Sequence, residues 1–228
     1  MTYLVGLDLG QAQDYSALVI VEQQQAPPAP PLYAVRHLHR WALGSPYPRI
    51  TQDLAATLAR PPLTGRTALV VDHTGCGRPV VDHLRQAGLE LIAVSLHGGD
   101  SVSHTGSNYR VPKRDLVGAV QVLLQQQRLL FAEALPLTSV LTSELLNFKV
   151  TIDPTTAHDA YSAWRERDHD DVVLALALAL WWGEREAGSR LPEISLLPAL
   201  QGTRKPAFGP EGMRTRRVFR DDYDEEDF

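Results

Sequence analysis

Apolar and polar positions alternate with two periods along the 228-residue chain. Near the N-terminus, Tyr3 to Asp8 (YLVGLD) and Ala17 to Val21 (ALVIV) are short β-rich runs joined by the turn-like LGQAQDYS, which predicts a hairpin whose first strand closes on a carboxylate. The proline cluster Pro27 to Pro31 predicts a loop, and Leu32 to Leu43 a third antiparallel strand. Ile50 to Ala59 has helical spacing. Thr67 to Val71 is apolar without interruption, the mark of a strand buried on both faces, and it stops at Asp72. A helix over Pro79 to Ala87 and a buried strand over Leu89 to Leu96 complete a βαβ unit, so the sheet is expected to be mixed.

Gly98 to Pro112 is polar and rich in Gly and Ser, which predicts a long loop. Lys113 to Leu130 has Leu116, Val120, Leu123 and Leu124 on one side of a helix, Leu137 to Phe148 reads as another helix, and Lys149 to Ile152 as a short strand. Asp171 to Trp182 (DVVLALALALWW) is apolar all round and predicts a buried helix. From Ser189 onward four prolines interrupt a stretch without apolar period, so residues 189–228 are expected to be a disordered tail behind one α/β domain of residues 1–188.

Composition narrows the class. With 44% hydrophobic and 21% charged residues the chain matches ordinary soluble proteins. Its longest apolar run, Val172 to Trp182, falls short of the roughly 20 residues a membrane helix needs. The single cysteine, Cys76, excludes an internal disulfide and a Cys-based zinc cluster, and suits a reducing cytoplasm. A net charge of −5 argues against a nucleic-acid partner only until it is resolved along the chain: residues 221–228 carry −6, residues 190–220 carry +5, and −4 remains for residues 1–189. The tail thus has a basic block over 204–220 and an acidic block over 221–228.

Three carboxylate positions stand where an apolar element meets polar chain: Asp8, Asp72 and the pair Asp170, Asp171. Singly, each is explained as a turn former or a helix cap. Together, in a mixed sheet that brings two strand ends side by side and sets a helix N-terminus beside them, they would repel unless a hard divalent cation such as Mg²⁺ or Mn²⁺ sat between them. Two such ions about 4 Å apart can activate a water and stabilise the leaving oxygen in phosphodiester cleavage. Either Asp170 or Asp171 can cap the helix, leaving the other for the metal.

The ordered set LVGLDLGQAQDYSALVIVE, ALVVDHTGCGRPVVDHL, KRDLVGAVQVLL and HDDVVLALALALWW resembles the nuclease domain of phage terminase large subunits, a branch of the RNase H-like (RuvC-type) superfamily, over residues 3 to about 185. The resemblance implies an RNase H-like fold, with a mixed sheet of five or more strands flanked by helices. It also implies a metal-dependent DNA endonuclease that cuts concatemeric viral DNA during genome packaging by a two-metal mechanism with Mg²⁺ or Mn²⁺. By the same resemblance Asp8 would bridge both metals, Asp72 would hold one and Asp171 the other as catalytic ligands, with Asp170 an auxiliary or alternative ligand. Lys113, Arg110, Arg114 and Tyr109 are the expected DNA contacts. His73 and His169 flank presumed ligands and could move protons, Asp14 fits the hairpin turn or approaches the site, and Gly75 and Gly77 fit a tight turn at the site's edge. Implied partners are double-stranded DNA and a separate packaging ATPase, portal or small terminase subunit, without a membrane, in the cytoplasm of a bacterial host as a phage or prophage protein.

No G-x-x-x-x-G-K-[ST] phosphate loop occurs in the sequence, so the resemblance is to the nuclease and not to the packaging motor. A RuvC-type junction-resolving nuclease is an alternative that shares the site, although Leu174 stands where its second helix carboxylate would fall. An actin-like or sugar-kinase-type ATP-binding domain shares the GLDLG hairpin but requires a second Gly-rich phosphate loop.

Overall fold

A computed structural model describes residues 2–10, 14–74, 76, 78–148 and 170–190. The chain divides into two units, Met1–Pro192 and Glu193–Phe228, and the second lies outside the described residues. So do the expected strand over Lys149 to Ile152, His169, Gly75, Gly77 and both charge blocks of the tail.

The elements follow the apolar pattern closely at the N-terminus. Strands β1 (Thr2–Asp8), β2 (Ala17–Ala26) and β3 (Ala29–Arg40) form an antiparallel meander, followed by α1 (Tyr47–Leu58), β4 (Thr67–Asp72), α2 (Arg78–Gln86) and β5 (Ile92–His97). Then come β6 (Ser103–Thr105), β7 (Asn108–Pro112), α3 (Lys113–Gln125), β8 (Leu129–Phe131), α4 (Thr138–Asn147) and α5 (Asp171–Arg190). All strands join one eight-stranded sheet in the order β6-β7-β5-β4-β1-β2-β3-β8. Strands β1, β4, β5 and β7 run parallel, so Asp8, Asp72, His97 and Pro112 end them at one edge.

Alternation along the strands supplies two cores. Leu4, Val19, Val70, Val94 and Val111 face α3, α4 and α5, while Val5, Leu7, Leu69, Val71 and Ala93 face α1 and α2. Strand β4 feeds both, as its unbroken apolarity required. The first half of α5 is buried on all sides: Val172 to Leu180 are at most 3% exposed. Each such Val or Leu contributes about 1.5–3 kcal/mol relative to exposure. It rests directly on β1 at Gly6, where an added Cβ would lie 1.7 Å from the Ala175 carbonyl oxygen. Among the described residues no helix is long and apolar enough to cross a membrane.

Four expectations need correction. The proline cluster Pro27 to Pro31 is not all loop: β2 and β3 pair up to Ala26 and Ala29, so Pro30 and Pro31 belong to β3. Gly98 to Pro112 is not all loop: β6 and β7 form a hairpin around Gly106, whose φ of 58° suits glycine, and β7 adds in parallel to β5. The helix expected to reach Leu130 stops at Gln125, because Gln127 turns into the left-handed region (φ 56°) and the chain re-enters the sheet as β8 beside β3. Helix α5 runs past Trp182 to Arg190, since Gly183 packs against Leu4 and Tyr33 instead of ending it.

Candidate active site

One row of residues crosses the sheet in register. Asp8 lies opposite Asp72 on one side and Ala17 on the other; Asp72 is opposite Val94, Val94 opposite Tyr109, and Ala17 opposite Arg40. Residues in register share a face, and Ala17, Val94 and Tyr109 belong to the α5-side core, so Asp8, Asp72 and Arg40 project toward α5 as well. Asp8 (8% exposed) and Asp72 (2%) are neighbours on adjacent strands, about 4.8 Å apart at the backbone.

Helix α5 runs antiparallel to β1, because Gly6 meets Ala175 while Leu4 meets Gly183. From Gly6 to Asp8 is roughly 7 Å along a strand, and from Ala175 back to Asp171 is about 6 Å along a helix. Asp171, buried at 4% exposure, therefore comes level with Asp8. Asp170, half-buried, takes the capping position, since its carbonyl accepts the Leu174 N–H at 2.9 Å.

Each carboxylate is held by its surroundings. Asp72 Oδ1 accepts the Thr74 N–H at 2.7 Å and the Thr74 hydroxyl, and Thr74 Oγ1 in turn accepts the Leu96 N–H at 2.8 Å. Asp171 Oδ2 accepts from Arg40 Nη2 at 2.6 Å, and the same Nη2 donates to Glu144 Oε1 at 2.7 Å. Glu144 Oε2 accepts the Val173 N–H at 2.8 Å, so a side chain from α4 satisfies an orphan donor of α5. Burial pushes the Glu144 carboxyl up to about 7, against the opposing pull of the Val173 N–H and Arg40.

Thr74, Arg40 and Glu144 are absent from the residues that the sequence alone singles out. Glu144 carried a signal, since it falls three residues after the buried Leu141 on the core side of α4, where a helix wants an apolar residue. Arg40 had none before the register placed it in the row.

Of the four expected DNA contacts, Tyr109 and Arg110 line one groove, and Lys113 and Arg114 stand outside it. Lys113 is buried (9% exposed) at the start of α3, on the edge that ends β1 and β4. The Tyr109 ring is packed within the α5-side core, stacked on His104 (4.8 Å) and edge-on to Trp181 (5.7 Å) and Trp182 (5.5 Å). Arg114 is ion-paired to Asp100 at 2.6 Å. Arg110 follows Tyr109 and so emerges on the opposite face from the aspartates. With Tyr109, His73, Arg78, Arg85 and His104 it lines a groove of about 600 Å³ between α2 and the β6–β7 hairpin. Arg85 donates to Ser107 Oγ (3.1 Å) and Asn108 Oδ1 (3.0 Å), and among the described residues neither Arg78 nor Arg110 is ion-paired. Asp14 is exposed and lines a small pocket with Gly10, Ser16 and Tyr47.

No family model matches the sequence, and no curated protein matches it. Solved structures do. The large terminase nuclease from thermophilic phage G20c superposes with a TM-score of 0.51 and 22% identity, over 78% of this chain and 80% of that one. The chain has the fold of the phage large terminase nucleases. The large terminase of a second thermophilic bacteriophage gives a TM-score of 0.52 at 12% identity, over 81% of this chain and 39% of that one. The HK97 bacteriophage large terminase gives 0.50 at 17% identity, over 79% and 39%. The chain thus spans about two fifths of these two longer terminase chains. The expected RNase H-like α/β architecture holds, with eight strands in its mixed sheet.

A terminase-nuclease fold raises the question of the divalent metal. The donors suit a hard cation, because Asp8, Asp72 and Asp171 offer only carboxylate oxygens from a buried position. A cation is already present against Asp171 in the form of the Arg40 guanidinium. Among the described residues no three His, Cys, Asp or Glu side chains close into a ready-made cage. The chemistry of the set therefore fits a divalent ion, while Asp171 faces Arg40.

Proposed function

We propose that the protein is a metal-dependent DNA endonuclease of the terminase-nuclease type, with Asp8, Asp72 and Asp171 as the residues that hold Mg²⁺ or Mn²⁺ and Asp170 beside them. The supporting observation is the in-register pairing of Asp8 with Asp72 on the sheet face covered by α5, whose first residue is Asp171. When bound, a pair of such ions supplies a polarised phosphate and a water acidic enough to attack it.

The chain's own residues set up that chemistry. Thr74 fixes one oxygen of Asp72 and so orients the carboxylate. The N-terminus of α5 adds the positive end of a helix dipole, which favours carboxylates and a phosphate diester alike. His73 follows Asp72 in the chain and lines the arginine groove. Arg78, Arg85 and Arg110 are the backbone-phosphate contacts in this reading, and Lys113 adds positive charge to the same edge. Double-stranded DNA is the substrate, cut during genome packaging beside a separate ATPase, portal or small terminase subunit in a bacterial cytoplasm. The helix carries Leu174, buried at 3% exposure, and no carboxylate three residues after Asp171, which in this reading favours duplex over branched DNA.

Incubation of supercoiled plasmid with the full chain and Mn²⁺ tests this. Asp8→Asn and Asp72→Asn are each expected to lower cleavage by on the order of 100-fold or more with unchanged far-ultraviolet circular dichroism, and chelation of the metal to stop it. Cleavage that persists unchanged in both variants would remove the reading.

A further inference from the structure

Arg40 sits in the row that carries the aspartates, two strands from Asp8, with only the methyl group of Ala17 between them. That small residue lets the long side chain cross β2 and reach the start of α5. Its Nη2 is shared by Asp171 and Glu144, at 2.6 and 2.7 Å, with the Arg40 side chain 15% exposed and both carboxylates 5%. Arg40 Nε is buried and finds no acceptor among the described residues. A buried donor without an acceptor destabilises the pose it belongs to, and a guanidinium is weakly hydrated and stacks readily on aromatic faces. The Arg40 guanidinium already lies over the Tyr15 ring, with Cζ 4.5 Å from its centroid, a contact that does not depend on the carboxylates.

We propose that Arg40 is an intramolecular competitor of the metal. Its guanidinium neutralises Asp171 and Glu144 while the site is empty of divalent ions, and it yields Asp171 when one binds. The inference rests on the reading of Asp8, Asp72 and Asp171 as a metal site. Arg40 then has two consequences. It keeps closely placed buried carboxylates from repelling one another in the metal-free protein, and it raises the metal concentration at which the site fills.

Calorimetric titration of Mn²⁺ into the full chain separates the possibilities, comparing wild type, Arg40→Gln and, as a control for the site, Asp8→Asn. Arg40→Gln is expected to bind Mn²⁺ about ten-fold more tightly or better at low salt. It is also expected to melt at a lower temperature without metal and to gain more from Mn²⁺ than wild type does. Equal or weaker Mn²⁺ binding by folded Arg40→Gln would overturn the proposal. Should that variant fail to fold, the Arg40 Nε–Hε resonance of wild type, followed by NMR during a Mg²⁺ titration, must move as the site saturates; a resonance that stays put overturns the proposal equally. Absence of Asp8-dependent binding in every protein takes away the metal site itself. Asp8-dependent binding that Arg40→Gln does not tighten takes away only the competition.

Discussion

Two arginines, Arg128 buried and Arg40 partly so, tie the sheet to α5, and they are satisfied in opposite ways. Arg128, just ahead of β8, donates through Nε to the Pro31 carbonyl (2.8 Å), through Nη1 to Gln126 and Glu184 (both 3.0 Å), and through Nη2 to Glu184 (2.6 Å). The Tyr33 hydroxyl also donates to Glu184 (2.7 Å), and burial together with that carboxylate pushes the Tyr33 pKa up. Arg40 instead divides one nitrogen between two carboxylates and leaves Nε without an acceptor among the described residues. A donor set matched to its acceptors makes a clamp; a set with too many acid partners at one nitrogen and none at another is open to exchange. The second arrangement stands at the end of the sheet where Asp8 and Asp72 lie, which is why charge there reads as function and charge around Arg128 as structure.

The contrast can be broken by mutation. Arg128→Ala should lower unfolding free energy in denaturant by about 3 kcal/mol, because Glu184 and the Pro31 carbonyl lose their partner, while Mn²⁺ affinity stays as in wild type. A stability loss no larger than that of Arg40→Gln would erase the distinction. The next effect concerns the two sheet faces. Replacing Arg78, Arg85 and Arg110 together by Gln should reduce the slope of log affinity for duplex DNA against log salt by about 2 to 3, as expected for three lost phosphate contacts. Metal binding should be untouched, and an unaltered slope would place the DNA path elsewhere.

The smallest effect lies far from the site. Arg36, at 2.6 Å, holds the Glu22 carboxyl below its ordinary value of 4.5. A lowered carboxylate pKa stabilises the fold above the ordinary value, and that contribution fades as pH falls through the native one. Arg36→Gln should therefore cost about 1 kcal/mol or less at neutral pH. The difference from wild type should shrink in melts carried below pH 4.5.

The aspartates were readable in the sequence because an apolar period stops at each: at Asp8, at Asp72 and, in reverse, at Asp171. The burial of α5 was readable from its lack of a polar side. Arg40 and Glu144 were not, since an arginine ending a strand and a glutamate within a helix look like surface residues until register and helix packing bring them together. The β6–β7 hairpin was hidden by the polarity of a solvated sheet edge, where Ser103, His104 and Thr105 have no core to face. The surroundings of the expected DNA contacts were not readable either: Tyr109 and Arg110 both line the groove beside the β6–β7 hairpin, while Lys113 is buried and Arg114 is ion-paired to Asp100.

The most direct test of a divalent metal at this sheet edge is a crystal of the full chain soaked in Mn²⁺ and measured for anomalous scattering. Peaks bounded by Asp8, Asp72 and Asp171, with Arg40 withdrawn from Asp171, are the predicted result. At saturating Mn²⁺, no peak beside Asp8 and Asp72, or an ion held only by other residues, would contradict it.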